Sequence, residues 1–530
     1  MSLKLPPLFS DGMVLQRNTD VKIFGGSNPG GTVQVSFSGK NFTAVSGEDG
    51  KWLCNIGSYC ENSEPQEMKI TASGSGDEIT IRDVLIGDVW LCSGQSNMEL
   101  MLNRTHNNYP DEMSAENALI RQLKIPQVYD FNAPLPAENM QSCAWESFSP
   151  QTAPNFTAVG YFFAKRLHER YKVPIGLFAC AVGGTPITAW LGYDMLKELN
   201  LTEDLAEAEK CRSAEYIEKC LQDYNDSIQD YNRRLNEADT GFKENWASPA
   251  FDDSGWDEVP LCEYVDDGSG VYWYRKTIEI PPEQQGKEAT IYLGTCADMD
   301  EVFINGEKQG VTYYRYPPRE YNFALPSGKL TIAIRLLCFN GWGGFTRGKN
   351  YFIATDNFTF DIGGTWKRNL ATKMEDQTPY VCFNYKPTGL YNGMLCPLFS
   401  YAIKGIIWYQ GESDTGNPER YAEKLTALIN SWREAWGLGD LPFLQTQLAH
   451  YEMNGNYDLD GGDKWDELRA RQKLCLALPK TGLALAQDLG EFNDLHPQNK
   501  RDVGERLARL AMRITYGEKL PPNSFEMYNC

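Results

Sequence analysis

Histidine is nearly missing from this chain, with 4 in 530 residues. Any chemistry that needs an imidazole has only those places to draw it from. Positive charge is scarce too: 50 Lys and Arg stand against 71 Asp and Glu, a net charge of −21. That balance argues against nucleic acid and anionic membranes, which demand clustered cations. A polyanionic substrate is disfavoured on the same ground, while a small neutral or singly charged one is not. No apolar run approaches the roughly 20 residues of a membrane helix. The 14 cysteines contain no Cys-x-x-Cys and no regular framework. Cys92, Cys180 and Cys338 lie in apolar strand-like runs, as buried thiols do. No Cys/His cluster suggests a metal. No leader is visible either, since Met1-Ser2-Leu3 runs directly into strand-like sequence, as in a chain whose signal peptide has been trimmed.

What the chain does have is material for large cores. It is 42% hydrophobic, with 28 Tyr, 24 Phe and 13 Trp, and its length predicts three or four domains. Residues 1–85 alternate apolar and polar in short runs such as Thr32-Val33-Gln34-Val35-Ser36-Phe37, punctuated by Gly, Asn and Ser. They predict a small β-sandwich. From 86 to 239 strands alternate with amphipathic helices, the pattern of a parallel α/β sheet. Strands are expected at 127–131 and 173–181, a helix at 158–171, and one long solvated helix over 194–238. Between 240 and 365 strands dominate again, with an Asn305-Gly306 hairpin turn; this predicts an inserted β-sandwich of jelly-roll type. The α/β pattern returns over 366–530. It has helices at 390–401, 420–436, 465–478 and 500–516 and strands at 404–409, 442–448 and 481–486.

The stretch Gly87–Glu99 organises the rest. Val89-Trp90-Leu91 reads as a buried strand, and small polar residues ending in Ser96 follow, with Gly94 two places before it. A nucleophilic serine needs such a rigid strand and such a tight turn. It also needs a base. His168 lies on the charged side of a helix and His106 in a polar loop. His450 follows a strand end, the side of an α/β sheet that faces a ligand crevice. His496, in Asn493-Asp494-Leu495-His496-Pro497, has a carboxylate two residues away and a proline stiffening its loop. Of the four it is the best placed to act. Acyl transfer further requires donors for an oxyanion. Gly183-Gly184 end one buried strand and allow close backbone approach. Gln410-Gly411-Glu412-Ser413-Asp414 end another, massing polar groups where a core explanation fails.

Together these segments resemble the SGNH hydrolase superfamily and, more closely, the sialate O-acetylesterase family of carbohydrate esterases. The matching motifs are Gly94-Gln95-Ser96-Asn97-Met98, Gly183-Gly184-Thr185-Pro186-Ile187-Thr188-Ala189-Trp190, Trp408-Tyr409-Gln410-Gly411-Glu412-Ser413-Asp414 and Asp494-Leu495-His496-Pro497, with 386–394 as the return to the catalytic domain. The resemblance implies a flavodoxin-like parallel sheet sandwiched by helices. Ser96 would be the nucleophile and His496 the base. Ser96 and Gly184 N–H groups with the Gln410 side chain would bind the oxyanion, and Gln95 and Asn97 would meet the substrate. It implies no metal or cofactor, a small acetylated sugar as partner, and a periplasmic or secreted enzyme. The triad acid departs from pattern: the usual aspartate position, three before the histidine, is Asn493. Glu412 and Asp494 stand level as candidates, with Asp488 more distant. Gly-Gln-Ser in place of Gly-Asp-Ser points from lipids to carbohydrate esters. An acetyl xylan esterase with the same machinery, or a carbohydrate-binding protein that has lost activity, are the rival readings.

Overall fold

The computed structural model describes residues 2–73, 76–105, 109–451, 462–491 and 494–529. His106 and Asn493 lie outside them. Two compact units divide the chain: residues 1–216 with 382–530, and residues 217–381.

The first unit is built on six parallel strands, β1 (Glu78–Gly94), β2 (Asn117–Lys124), β3 (Ile175–Ala181), β4 (Gly405–Tyr409), β5 (Phe443–Thr446) and β6 (Thr481–Ala484). Their spatial order is β2-β3-β1-β4-β5-β6, every neighbouring pair parallel. β1 therefore sits where the chain's direction of travel across the sheet reverses, and the loops after β3 and β4 flank its carboxyl end. Such switch points form ligand crevices.

β1 is longer than expected. Of its first six residues only Ile81 is buried, and this end pairs antiparallel with Asn62–Ala72, whereas Val84 to Gly94 are buried without a break. The strand passes from a half-solvated antiparallel sheet into a parallel one covered on both faces, which is why the alternation stops there. The boundary expected at 85 thus falls inside one continuous strand.

Helices cover both faces. Trp90 and Trp408 pair with Gly405 and Ser93 respectively, so they point to opposite sides. Trp90 meets Phe163 of α1 (Ala158–Tyr171) edge-on at 4.9 Å, and Trp408 meets Trp432 of α2 (Tyr421–Trp436) at 5.5 Å. α3 (Lys500–Ile514) lies along α1, close enough that a side chain at Gly504 would strike Phe162 and Val159.

Three expected elements differ. Residues 127–131 are not a strand; the strand is β2, just upstream, which itself pairs antiparallel with Trp145–Phe148. Residues 390–401 form a wide turn at Tyr391–Leu395 and a tight one at Cys396–Leu398. Pro397 cannot donate to an α-helical ladder, and Gly393 lies against the Val128 carbonyl. Residues 194–238 break into helices Tyr193–Glu198, Thr202–Cys211 and Ala214–Ala238, with Asn200 left-handed at φ 51° between the first two.

The second unit stacks an antiparallel six-stranded sheet on an antiparallel four-stranded one. Tyr272 and Ile334 from the first share a core with Ile291 and Ile353 from the second. Asn305 (φ 48°) and Gly306 (φ 88°) make the expected two-residue turn. This unit begins inside Ala214–Ala238, earlier than the expected 240. Tyr231 and Leu235 of that helix are buried in its aromatic cluster with Trp246 and Trp273. Among the described residues no helix is long and apolar enough to cross a membrane.

Candidate active site

β1 leaves the sheet at Gly94, whose φ of +133° and contact with the Tyr409 carbonyl leave no room for a side chain. Gln95 then donates its N–H to Tyr409 O (2.9 Å). Its side-chain Oε1 accepts from the N–H groups of Gly411 (3.2 Å) and Ser413 (3.3 Å). The chain turns at once into the short helix Ser96–Glu99. Ser96 heads it half-buried, with its N–H at a position where a helix offers no internal acceptor.

The turn after β3 rests directly on this serine. A Cβ at Gly183 would lie 3.3 Å from Ser96 Cβ. The Gly183 N–H is taken by Glu99 Oε2 (2.6 Å), while Glu99 Oε1 accepts from Gln127 Nε2 (2.7 Å). Gly184, left-handed at φ 76° and covered by the Tyr385 ring, presents the turn's next N–H.

Gln410 does not do what the motif led us to expect. It is wholly buried, and its amide nitrogen donates to Thr185 O (3.1 Å) and Asp414 Oδ2 (2.6 Å) while Oε1 accepts from Tyr421 (2.8 Å). Both amide hydrogens are committed, so the side chain bolts the β4 loop to the β3 loop and has none to give an oxyanion. Asp414 Oδ2 also accepts the Ile187 N–H (2.9 Å), tightening the same joint.

Asn97 and Gln95, expected to meet substrate, are likewise turned inward, 1% and 2% exposed. Asn97 Nδ2 donates to Glu412 Oε1 (2.5 Å) and to the carbonyl of Leu495 (3.0 Å), and its Oδ1 accepts from Lys500 Nζ (2.5 Å). One amide thus binds the residue after Ser96 to the residue before His496, and both to Glu412. The expectation that Ser96, His496 and Glu412 share one place rests on no nearby sequence; the structure brings their segments together through Asn97.

His496 is 7% exposed, and its pKa is pushed down to about 3, by burial first and then by the charges of Lys500 and Arg104. These hold the imidazole in its neutral form and oppose the imidazolium. Of the two acids, Asp494 spends Oδ1 on the backbone N–H of His496 (2.8 Å), shaping the loop. Glu412 is buried, which raises its pKa against the Asn97 bond and Lys500. Its Oε2 is buried with no hydrogen-bond partner among the described residues. Asp488 is held by Arg506 (2.6 Å). His168 bonds the Val173 carbonyl (2.8 Å), and His450 lies against Gly490 beyond β5.

Sequence reading passed over Glu99 and Lys500. Glu99 stands three residues after the serine, one turn along the helix Ser96–Glu99, and that spacing was a signal available; Lys500 opens a helix after the His496 loop, and its inward turn had no local signal.

Comparison with known proteins accords with this arrangement. Residues 86–213 and 383–513 match the family model described as carbohydrate esterase, sialic acid-specific acetylesterase. The sialate O-acetylesterase of Rattus norvegicus is 22% identical over 96% of this chain and 72% of its own length. The human sialate O-acetylesterase is 31% identical over 36% of this chain and 38% of its own. Among solved structures, a carbohydrate acetylesterase from Xanthomonas citri aligns with a TM-score of 0.59 and 26% identity, covering 98% of this chain and 76% of that one.

Proposed function

Since the chain belongs to the sialic acid-specific acetylesterase family of carbohydrate esterases, we propose that it removes O-acetyl groups from sialic acid, the 9-O-acetyl ester foremost, through an acetyl-Ser96 intermediate. Carbohydrate deacetylation is the family's chemistry; the sugar, the position and the serine mechanism are our reading. The observation that carries it is the Asn97 bridge, which holds the serine turn and the histidine loop in register.

In this reading neutral His496 takes the proton of Ser96 Oγ as the oxygen attacks the acetyl carbonyl. Backbone N–H groups of Ser96 and Gly184 receive the oxyanion. His496 returns the proton to the departing sugar hydroxyl, then activates water to release acetate and free the serine. An imidazolium in so buried a place, beside Lys500, needs a compensating anion. Glu412, with one carboxylate oxygen uncommitted, is our choice for that role over Asp494. The order β3-β1-β4 around the serine supports an SGNH-type arrangement, with an amino-terminal β-sandwich, and the two-sheet second unit supports an inserted jelly roll.

The test is acetate release from 9-O-acetylated sialic acid, with acetylated xylan oligosaccharides in parallel and Ser96→Ala as blank. Release from sialic acid is expected. Turnover of xylan alone would keep the mechanism and replace the substrate. Silence on both and on an aryl acetate would leave a carbohydrate-binding protein.

A further inference from the structure

Lys500 opens α3 with its side chain turned inward, 1% exposed. A lysine is almost never fully buried unless paired, and acyl transfer as set out above makes no use of it. Its Nζ donates to Asn97 Oδ1 at 2.5 Å and lies 5.6 Å from the centre of the Tyr409 ring. The carboxylates that face it are Glu412, from the loop after β4, and Asp494 and Glu491, from the loop after β6; burial brings its pKa down to about 8 against their pull. Its charge reaches His496, as does that of Arg104.

The partners decide what Lys500 can do. An asparagine amide can present oxygen or nitrogen to either side, and its neighbours choose. A lysine can only donate, so the Asn97 oxygen must face Nζ. The NH2 group is then turned toward two acceptors, Glu412 Oε1 and Leu495 O. With the amide reversed, oxygen would face a carboxylate and a carbonyl, and both contacts would repel.

We propose that Lys500 is a positioning residue for the acyl-transfer machinery, setting the Asn97 amide so that one NH2 group holds both the Glu412 carboxylate and the backbone that carries His496. This rests on the reading of Ser96 and His496 as nucleophile and base. Lys500 touches no reacting atom. Its effect belongs in kcat, because it governs the geometry of the base and leaves the sugar pocket alone.

The experiment compares wild type, Ser96→Ala, Lys500→Met, Asn97→Ala and the Lys500→Met/Asn97→Ala double variant on an aryl acetate, with circular dichroism and thermal melting to confirm folding. A misplaced catalytic group costs about 100-fold. That loss is expected in kcat for each single Lys500 and Asn97 variant, with KM within about threefold. The double variant should lose no more than the worse single, since both cut one link. Lys500→Ala should regain rate with added propylammonium and gain nothing from tetramethylammonium, which carries the charge without an N–H donor. If Lys500→Met fails to fold, Asn97→Ala carries the same expectation. A folded Lys500→Met with wild-type kcat, additive losses in the double variant, or rescue by tetramethylammonium each overturns the proposal while leaving the serine mechanism standing. Wild-type rates from Ser96→Ala would instead bring down the mechanism and this proposal with it.

Discussion

The N–H of Gly183 is bound by the carboxylate of Glu99, 2.6 Å away, although Gly183 lies against the Ser96 turn. Glu99 belongs to that same turn, so the serine's helix clamps the glycine loop expected to complete the oxyanion site. Its second oxygen is anchored by Gln127 (2.7 Å). With the Gly183 N–H occupied, the proposed mechanism turns to Gly184, and not Gly183, for the donor.

Glu99→Ala should therefore release the loop. We expect kcat to fall about 100-fold, the order of loss that follows misplacement of a catalytic group, with KM little changed. Glu99→Gln retains an acceptor for the Gly183 N–H and should recover most of the rate. Steady-state kinetics on an aryl acetate check both. Equal losses in the two variants would mean that the charge, and not the clamp, matters.

Gln410 makes the opposite prediction. Removing a true oxyanion donor costs about 10²–10³ in kcat. Because this amide is spent on Thr185, Asp414 and Tyr421, Gln410→Leu should spare kcat to within a few-fold. It leaves the buried carboxylate of Asp414 short of a donor, at a cost in stability of about 2 kcal/mol. Urea denaturation and kinetics on the same sample separate the outcomes. A kcat loss of 100-fold with stability intact would restore Gln410 to the oxyanion site.

The contrast shows what sequence could and could not disclose. Period and apolar runs revealed five of the six parallel strands, because burial on both faces writes a continuous apolar run such as Ile406-Ile407-Trp408-Tyr409; β2 (Asn117–Lys124) was missed in favour of 127–131. Turn chemistry revealed Asn305-Gly306. The wide turn at Tyr391–Leu395 stayed hidden, since its form follows from Gly393 packing on Val128, a contact between distant segments. The site divides in the same way. The placement of Ser96 and Gly184 in turns after buried strands, and of His496 in the loop after the last parallel strand, was legible in the sequence. Whether a polar side chain at a strand end faces the cleft or the interior is decided by partners hundreds of residues away, as with Asn97 and Leu495. The roles expected of Gln95 and Asn97 at the substrate and of Gln410 at the oxyanion therefore do not match their buried, committed side chains.

The triad acid can be assigned by a pair of isosteric variants. Glu412→Gln removes the carboxylate that Asn97 ties to the His496 loop, and the loss of a triad carboxylate costs about 10⁴ in kcat in a serine protease. We expect a loss of about 10³ or more, approaching that in the protease. Asp494→Asn keeps an oxygen able to accept the His496 N–H, so kcat should stay within a few-fold. Reversed results would make Asp494 the acid and Glu412 a buried strut.

The scarcity of histidine makes the remaining prediction measurable. Burial, Lys500 and Arg104 hold the His496 pKa near 3, against 6.5 for the free side chain. The folded chain therefore refuses a proton that the unfolded chain accepts. Above pH 6.5 both forms are neutral and the site adds no pH dependence. As pH falls from 6.5 toward 3, only the unfolded state is protonated, and stability declines by up to about 1.4 kcal/mol per pH unit. His496→Gln lacks this group, so its urea midpoint should fall less steeply than that of wild type between pH 6 and 4. With 4 histidines in the chain, the one imidazole NMR signal missing from His496→Gln identifies the residue. That signal should keep its neutral position at pH 5. A titration near 6.5 would mean that the imidazole is solvated in the working enzyme, and that the buried hub around Asn97 is open in solution.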